Sequence, residues 1–364
     1  MECNAGALAA VLARAIGFIP KMTPMDILKC FRFSGKTIQA SSLNLGTMLH
    51  LPDGIDFPNE VCVGAATIAS VASKLSETAI VSITDKALML KDKTSSFKLP
   101  IMKSDQYPDF PECKAEFVKA PMLHHAVKAV SPFTMDPLSG KVFSGVRLVD
   151  DIVVATDYKC LAIATIGAST GITDTLSPGL VEHFRDDLDA ELAIQAGRAF
   201  IKSSAGITYG STLEGEFVDH NSFLKQWKYT NKFMVKREDL AQVFPKVTIM
   251  CQDRDVRWAF CSIKSNKLTI EVTSDLGNAV IEVPALGKGE ARFRINVQMI
   301  ERWFKSVKEE DLSIECSNGV IQGTPVKFEG RTKVKDGQEL TCIAHIMPMT
   351  INVPGEAEDG TKKG

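Results

Sequence analysis

Ser144-Gly145-Val146-Arg147-Leu148-Val149-Asp150-Asp151-Ile152-Val153-Val154-Ala155-Thr156-Asp157-Tyr158-Lys159-Cys160-Leu161-Ala162-Ile163-Ala164-Thr165-Ile166 is the stretch on which the fold turns. The runs Ser144 to Leu148 and Ile152 to Ile166 flank an Asp150-Asp151 turn, the pattern of paired strands. Just upstream, Leu123, Ala126, Val127 and Val130 fall at helical spacing and form one apolar stripe. The local order is therefore an amphipathic helix followed by a strand ladder.

The same order occurs on either side at a spacing of roughly 115 residues, and internal repetition of this kind decides architecture before any local detail. On the N-terminal side, Leu8, Val11, Leu12, Ala15 and Ile16 make the stripe. Ile27 to Phe33, a Ser34-Gly35-Lys36 turn and Thr37 to Leu51 follow. On the C-terminal side, Leu240, Val243, Phe244 and Val247 precede Trp258 to Ile263, a Ser265-Asn266 turn and Leu268 to Val283. Each copy has a second half: helices at Ala65 to Ser76, Pro178 to Leu188 and Asn296 to Val307 lead into Ala79 to Leu90, Ala190 to Ile201 and Leu312 to Gln322. Six helices are expected. Proline and charge cluster near Glu112 to Lys119, and a polar, aromatic run lies at Leu224 to Asn231. These breaks predict domains at 1–115, 116–228 and 229–352, each with two helices packed on antiparallel sheets, an α+β class. Residues 353–364, rich in glycine and charge, are expected to be a disordered tail.

At 364 residues the chain is long enough for several cores. Its 45% hydrophobic and 24% charged content is that of a globular protein. The apolar stretch from Ala5 to Ile19 is broken by Arg14 and is too short to cross a bilayer. The N-terminus lacks a secretory leader's pattern, so a cytoplasmic protein is expected. Nine cysteines, Cys3, Cys30, Cys62, Cys113, Cys160, Cys251, Cys261, Cys316 and Cys342, form no C-x-x-C pair and sit near no histidine at metal-ligand spacing. Reduced thiols are expected. A net charge of −2 argues against gripping nucleic acid through a large basic surface, since such affinity scales with the phosphates neutralised.

With three repeats in view, several strings resemble the bacterial beta sliding clamps, the polymerase III beta subunit family. Val154-Ala155-Thr156-Asp157-Tyr158-Lys159-Cys160-Leu161-Ala162 resembles that family's V-A-T-D-G-H-R-L-A, and Gly145-Val146-Arg147-Leu148 resembles the strand before it. Leu213-Glu214-Gly215-Glu216-Phe217-Val218-Asp219 is similar to L-[VI]-[DE]-G-[RQ]-F-P-D, and Ile346-Met347-Pro348-Met349 to the family's C-terminal [VL]-M-P-[MV]. Ile19-Pro20-Lys21-Met22-Thr23-Pro24 with Ile27-Leu28, and Tyr107-Pro108-Asp109, are weaker matches in the first domain. The strings lie in matching order along nearly the whole chain. Departures are Tyr158-Lys159-Cys160 for Gly-His-Arg, Phe217-Val218-Asp219-His220 for Phe-Pro-Asp-Tyr, and the tail after Met349.

The resemblance implies a DNA clamp fold, a head-to-tail homodimer closing into a ring of six domains, and a non-catalytic role as a processivity factor. Expected partners are encircled double-stranded DNA, the replicative DNA polymerase, a clamp loader and other proteins carrying clamp-binding motifs. A peptide pocket carries over onto Phe143, Thr156, Tyr158, Lys159, Cys160, Leu161, Val218, Phe223, Ile346, Met347, Pro348 and Met349. Tyr158, standing where the family keeps glycine, is expected to reshape it. Tyr107, Ile249 and Met250 are candidates for the dimer interface. Opposite the apolar stripes, Arg14, Lys21, Lys74, His125, Lys128, Arg302, Lys305 and Lys308 are expected to face DNA and attract phosphates without reading bases. Read alone, such cations are as often a solvated face. Glu182, Asp186, Asp187 and Asp189 make the helix at Pro178 acidic.

No catalytic constellation stands against this reading. His50, His124, His125, His183, His220 and His345 show no H-E-x-x-H or H-x-x-x-H spacing, and no glycine-rich phosphate loop or nucleophile elbow occurs. No cofactor or metal is expected. The competing readings are an enzyme on a repeat scaffold, a trimeric clamp of two domains per chain, and a phage or mobile-element homologue acting as regulator or decoy.

Overall fold

The computed structural model describes residues 1–183, 189–250, 258–274, 276–317, 324–334 and 339–348. Along these residues the order strand, helix, three strands occurs six times. The helix-then-strands halves thus begin one element earlier than expected, with a strand feeding each helix. Strand pairs among the described residues are antiparallel, as at Leu45–His50 and Cys160–Thr165. The α+β class follows. The helices are shorter than their apolar stripes suggest: Ala65–Ala72 ends four residues before Ser76, and Val297–Ser306 one before Val307. Pro178–Glu182 covers the start of the helix expected to Leu188. Residues 184–188 and the tail at 353–364 lie outside the described residues.

Backbone contacts divide the chain into two units, Met1–His124 with Ala168–Glu214, and His125–Gly167 with Gly215–Gly364.

In the first unit the helices Ala5–Ala15 and Ala65–Ala72 share one core. Asn4 starts the first by accepting a hydrogen bond from the Ala7 amide at 2.8 Å. Leu8, Leu12 and Ala15 from one helix and Ile68 and Ala72 from the other pack with Phe31, Phe33, Phe57, Leu88 and Leu90. The rings of Phe33 and Phe57 stack at 4.8 Å. Twelve strands run continuously in the order 2–4, 78–84, 87–91, 96–102, 57–64, 30–35, 37–41, 45–50, 206–211, 198–203, 191–195, 118–119. The middle of that ladder is a junction between strands distant in sequence: Leu45–His50 pairs with Gly206–Ser211, Thr47 opposite Thr208. Gly46 is required there, because a Cβ would lie 2.6 Å from the Tyr209 ring. Tyr209 fills the space and its hydroxyl meets Ser41 at 3.1 Å.

In the second unit the ladder runs 146–149, 152–156, 160–165, 339–346, 326–333, 311–316, 231–236, 286–288. It too contains a long-range junction, where Cys160–Thr165 pairs with Glu339–Ile346. A separate four-stranded sheet runs 277–284, 267–274, 258–264, 291–296. Its hairpin at Ser265-Asn266 has φ of 52° and 60°, the left-handed pair that a tight two-residue turn needs. The expected stripe on helix Arg237–Met250, Leu240, Val243, Phe244 and Val247, is buried throughout. Phe244 meets Phe304 of helix Val297–Ser306 at 4.9 Å. Trp303, fully buried, donates its indole N–H to the Cys342 carbonyl at 3.2 Å.

The run from Leu224 to Asn231, read as an interdomain break, is partly helical. His220–Gln226 forms a helix begun by Asp219, whose carboxylate accepts from the Ser222 amide at 3.2 Å.

Candidate functional site

The turn at residues 156–160 organises a cleft in the second unit. Asp157 accepts from the amides of Lys159 at 2.9 Å and Cys160 at 3.0 Å, and from the Cys160 thiol at 3.1 Å. The Thr156 hydroxyl donates to the Cys160 carbonyl at 2.6 Å and accepts from the Tyr158 amide. This lacing holds Tyr158 at φ 68°, a left-handed conformation that side chains with a Cβ rarely adopt. Its ring, well exposed, stands edge-on to Phe143 at 4.6 Å.

Strand pairing then fixes what faces the cleft. Leu161 lies opposite His345 and Cys160 opposite Ile346, and the Met347 amide donates to the Lys159 carbonyl at 2.9 Å. Because side chains alternate along a strand, His345 joins the face carrying Leu161. Over that face, Phe217, Leu224 and Trp227 pack against Val154, Leu161 and Ile163. A cavity of about 260 Å³ remains between them.

Seven of the expected pocket residues line this cavity: Thr156, Tyr158, Cys160, Leu161, Val218, Phe223 and Met347. Phe143 does not line it; it stands behind, between Tyr158 and Phe217. Ile346 is buried and is not among the residues that line the cavity. Lys159 is exposed and contributes its backbone carbonyl. Pro348 is not in the lining, and Met349 lies outside the described residues. Three lining residues escaped the sequence reading: Gln226, Trp227 and His345. Nothing in the string Leu340 to Ile346, where Thr341 and His345 are both polar, singles His345 out.

His345 is the chemically distinctive member. Its Nδ1 is 2.8 Å from the Tyr229 hydroxyl, and its ring packs 5.0 Å from Trp227. Burial pushes its pKa down to about 3, and the neighbouring Lys327 ammonium adds to the effect. The imidazole is therefore neutral near pH 7. Burial first, and then the Asp157 carboxylate, push the Cys160 thiol well up, so it is an unreactive apolar wall and not a nucleophile. Among the described residues no group of three or more metal-ligating side chains gathers, and no helix is long and apolar enough to cross a membrane.

The expected DNA-facing residues fall in both units. In the first, Lys21 and Lys74 are exposed and Arg14 is half-buried. The Asp189 carboxyl is raised by desolvation, but Ser204 and then Arg14 lower it further, below its usual value. In the second, the helix Leu123–Val130 meets Val297–Ser306, the Ser306 hydroxyl donating to the Ala129 carbonyl at 3.2 Å and Arg302 to the Pro132 carbonyl at 3.2 Å. Neighbouring elements thus carry half-buried His125 and Lys128 and exposed Arg302, Lys305 and Lys308. Lys305 is paired with Glu301 at 3.2 Å, an exposed helical pair that partly offsets its charge.

Among the interface candidates, Ile249 is exposed and Met250 half-buried. Tyr107 is a correction. It is buried in its own unit with Ile27, Leu28, Cys30 and Cys62, and its hydroxyl reaches the Cys30 and Gln39 carbonyls at 3.3 Å. It presents no surface to a partner.

No family model matches the chain. The beta sliding clamps of two Helicobacter pylori strains are each 24% identical to it, over 222 and 227 residues. Those matches cover 54% and 56% of this chain and 53% and 54% of the relatives, so the chain spans about half the length of the curated relatives it matches. Solved structures extend the likeness. The DNA polymerase III beta subunit of Thermotoga maritima superposes with a TM-score of 0.80 at 19% identity, over 96% of this chain and 99% of that one. The fold is that of the beta sliding clamps. A Pseudomonas aeruginosa sliding clamp bound to griselimycin gives 0.81 at 14% identity, again over 96% and 99%. The Helicobacter pylori beta clamp in complex with diflunisal gives 0.78 at 17%, over 96% and 100%. Sequence identity this low fixes the fold, and the cleft is this chain's own.

Proposed function

We propose that this chain is the subunit of a sliding clamp: a non-catalytic ring of two copies that encircles duplex DNA in the cytoplasm and holds a replicative polymerase and other proteins through the cleft at Leu161, Trp227 and His345. One observation carries the ring. The third strand of a helix–strand half pairs with the last strand of a following half twice among the described residues, as 45–50 with 206–211 and as 160–165 with 339–346. The same rule leaves two strands in search of each other. Gly277–Pro284 is the edge of its four-stranded sheet, and Ser96–Met102 is paired along one side but on the other only at Ile101 and Met102.

Open edges of this kind invite pairing with another chain. Pairing 277–284 of one copy with 96–102 of the next is a head-to-tail contact, and it closes when each copy turns the chain by half a circle. Val280, Leu276, Leu286 and Ile249, all well exposed, are the apolar side chains such a contact would cover. An encircled duplex needs no tight phosphate grip, so a net charge of −2 is compatible with retention by topology.

Light scattering on the purified chain tests the assembly: twice the 39.7 kDa chain mass is expected. Val280→Pro, which places a proline in the open edge, is expected to give monomers with unchanged secondary structure. A native monomer at micromolar concentration, or a trimer, contradicts the proposal.

A further inference from the structure

The cleft is apolar on three sides but not on its floor. His345 sits in a row of paired residues crossing the sheet, with Leu161 opposite it on one side and Lys327 on the other. Beyond it the row is ionic: Glu315 meets Lys327 at 3.5 Å and Lys232 at 3.1 Å. The imidazole therefore marks the boundary between an apolar and a charged stretch of one surface. Tyr229 engages Nδ1, and a neutral imidazole has one other hydrogen-bonding atom, Nε2. Among the described residues none bonds it. An occupant that covers this floor and offers no partner leaves that atom dry and unmet, whereas one carrying a polar tip satisfies it.

The walls narrow the choice further. Trp227, Phe223 and Tyr158 surround the opening with rings, which favour a planar guest through edge and offset contacts. At about 260 Å³ the cavity suits one or two side chains of a chain lying across it and not a whole small-molecule ligand, for which roughly 300–1,000 Å³ is usual. Exposed Lys159, Lys225 and Lys228 flank lining residues, against the exposed acid Glu216, two positions before Val218. The nearby acids Asp157 and Asp219 are already turned onto the amides of Lys159 and Cys160 and of Ser222.

We propose that His345, oriented by Tyr229, is a specificity-determining residue of this cleft, and that it selects an acidic peptide whose anchoring aromatic side chain carries a hydroxyl, tyrosine over phenylalanine. The selection rests on the cleft being a peptide site, as argued above. A phenol both donates and accepts, so it meets Nε2 in either tautomer.

The test is fluorescence anisotropy with the full chain and two labelled acidic peptides identical except for tyrosine or phenylalanine at the anchor. The native protein is expected to prefer the tyrosine peptide by roughly tenfold. His345→Leu should bind both within about twofold of each other, retaining the phenylalanine peptide. Tyr229→Phe keeps the ring and the packing but frees Nδ1, and should reduce the preference without lowering the unfolding temperature appreciably; it decides the matter if the leucine variant does not fold. Equal affinity of the native chain for both peptides, or an undiminished preference in Tyr229→Phe, overturns the selection and leaves the peptide site standing. Binding of neither peptide overturns both.

Discussion

The two long-range strand junctions have the same backbone plan and opposite surfaces. Where 45–50 meets 206–211, the space above the seam is filled: Tyr209 lies against Gly46 and bonds Ser41, with Phe110 at 5.1 Å and Phe200 at 6.1 Å around it. Where 160–165 meets 339–346, the corresponding need for cover is met by a helix and Trp227, which stand off far enough to leave a cavity. One junction is sealed by a ring from its own strand, the other is roofed by a separate segment. Joining domains requires only the ladder, so the unsealed junction is the one available for binding.

The largest effect is expected from overfilling the sealed junction. Gly46→Val pushes a branched side chain into the Tyr209 ring and should cost about 3 kcal/mol in a denaturant titration. Peptide affinity of the folded fraction should be unchanged, because the cleft lies in the other unit. The open junction should respond in the reverse sense. Trp227→Ala removes a wall of the cavity and should weaken peptide binding by about 2 kcal/mol, roughly thirtyfold, in an anisotropy titration, with a smaller change in stability.

Acid should distinguish the two junctions next. The folded-state pKa of His345 lies well below its unfolded value, so the stability its neutral burial carries is fully present above about pH 6.5 and is lost as pH falls toward 3. His220, lowered mainly by burial, acts in the same direction. In a pH series of denaturant melts, His345→Leu should therefore gain on the native chain between pH 7 and pH 4, by on the order of 2 kcal/mol. A constant difference across that range would show that the histidine is not held neutral. Tyr158→Gly should have the smallest effect on stability, a gain of up to about 1 kcal/mol from relief of its left-handed backbone. It also opens one side of the cleft, so peptide affinity should change; an unaltered affinity would remove Tyr158 from the binding surface.

Much of this was legible in the sequence because burial is periodic. The stripes Leu8, Leu12 and Ala15, and Leu240, Val243, Phe244 and Val247, announce their helices, and Ser265-Asn266 announces its turn through residues that tolerate positive φ. The strings around Asp157 and Met347 bear on the cleft only through their resemblance to the beta sliding clamps. What the sequence could not show is which strands meet across more than 150 residues, since long-range register leaves no local pattern. Hence the place of His345 on the cleft face shows only in its pairing with Leu161. Trp227 and Tyr229 were hidden differently. Their polar neighbours Lys225, Gln226 and Lys228 made the segment read as a linker, although its aromatic rings are the roof of the site. Tyr107 misled because a large aromatic near an edge reads equally as interface or core.

The proposed ring holds DNA by topology. A cysteine placed in each open edge, Lys98→Cys and Val280→Cys, allows the assembled protein to be closed by a flexible bismaleimide in the presence of a nicked circular plasmid; the native cysteines among the described residues are buried or half-buried. Gel filtration in high salt then measures how much protein travels with DNA. Closed protein is expected to co-elute with the circle and to be released when a single cut linearises it. Equal retention on circular and linear DNA, or none on either, would contradict retention by topology.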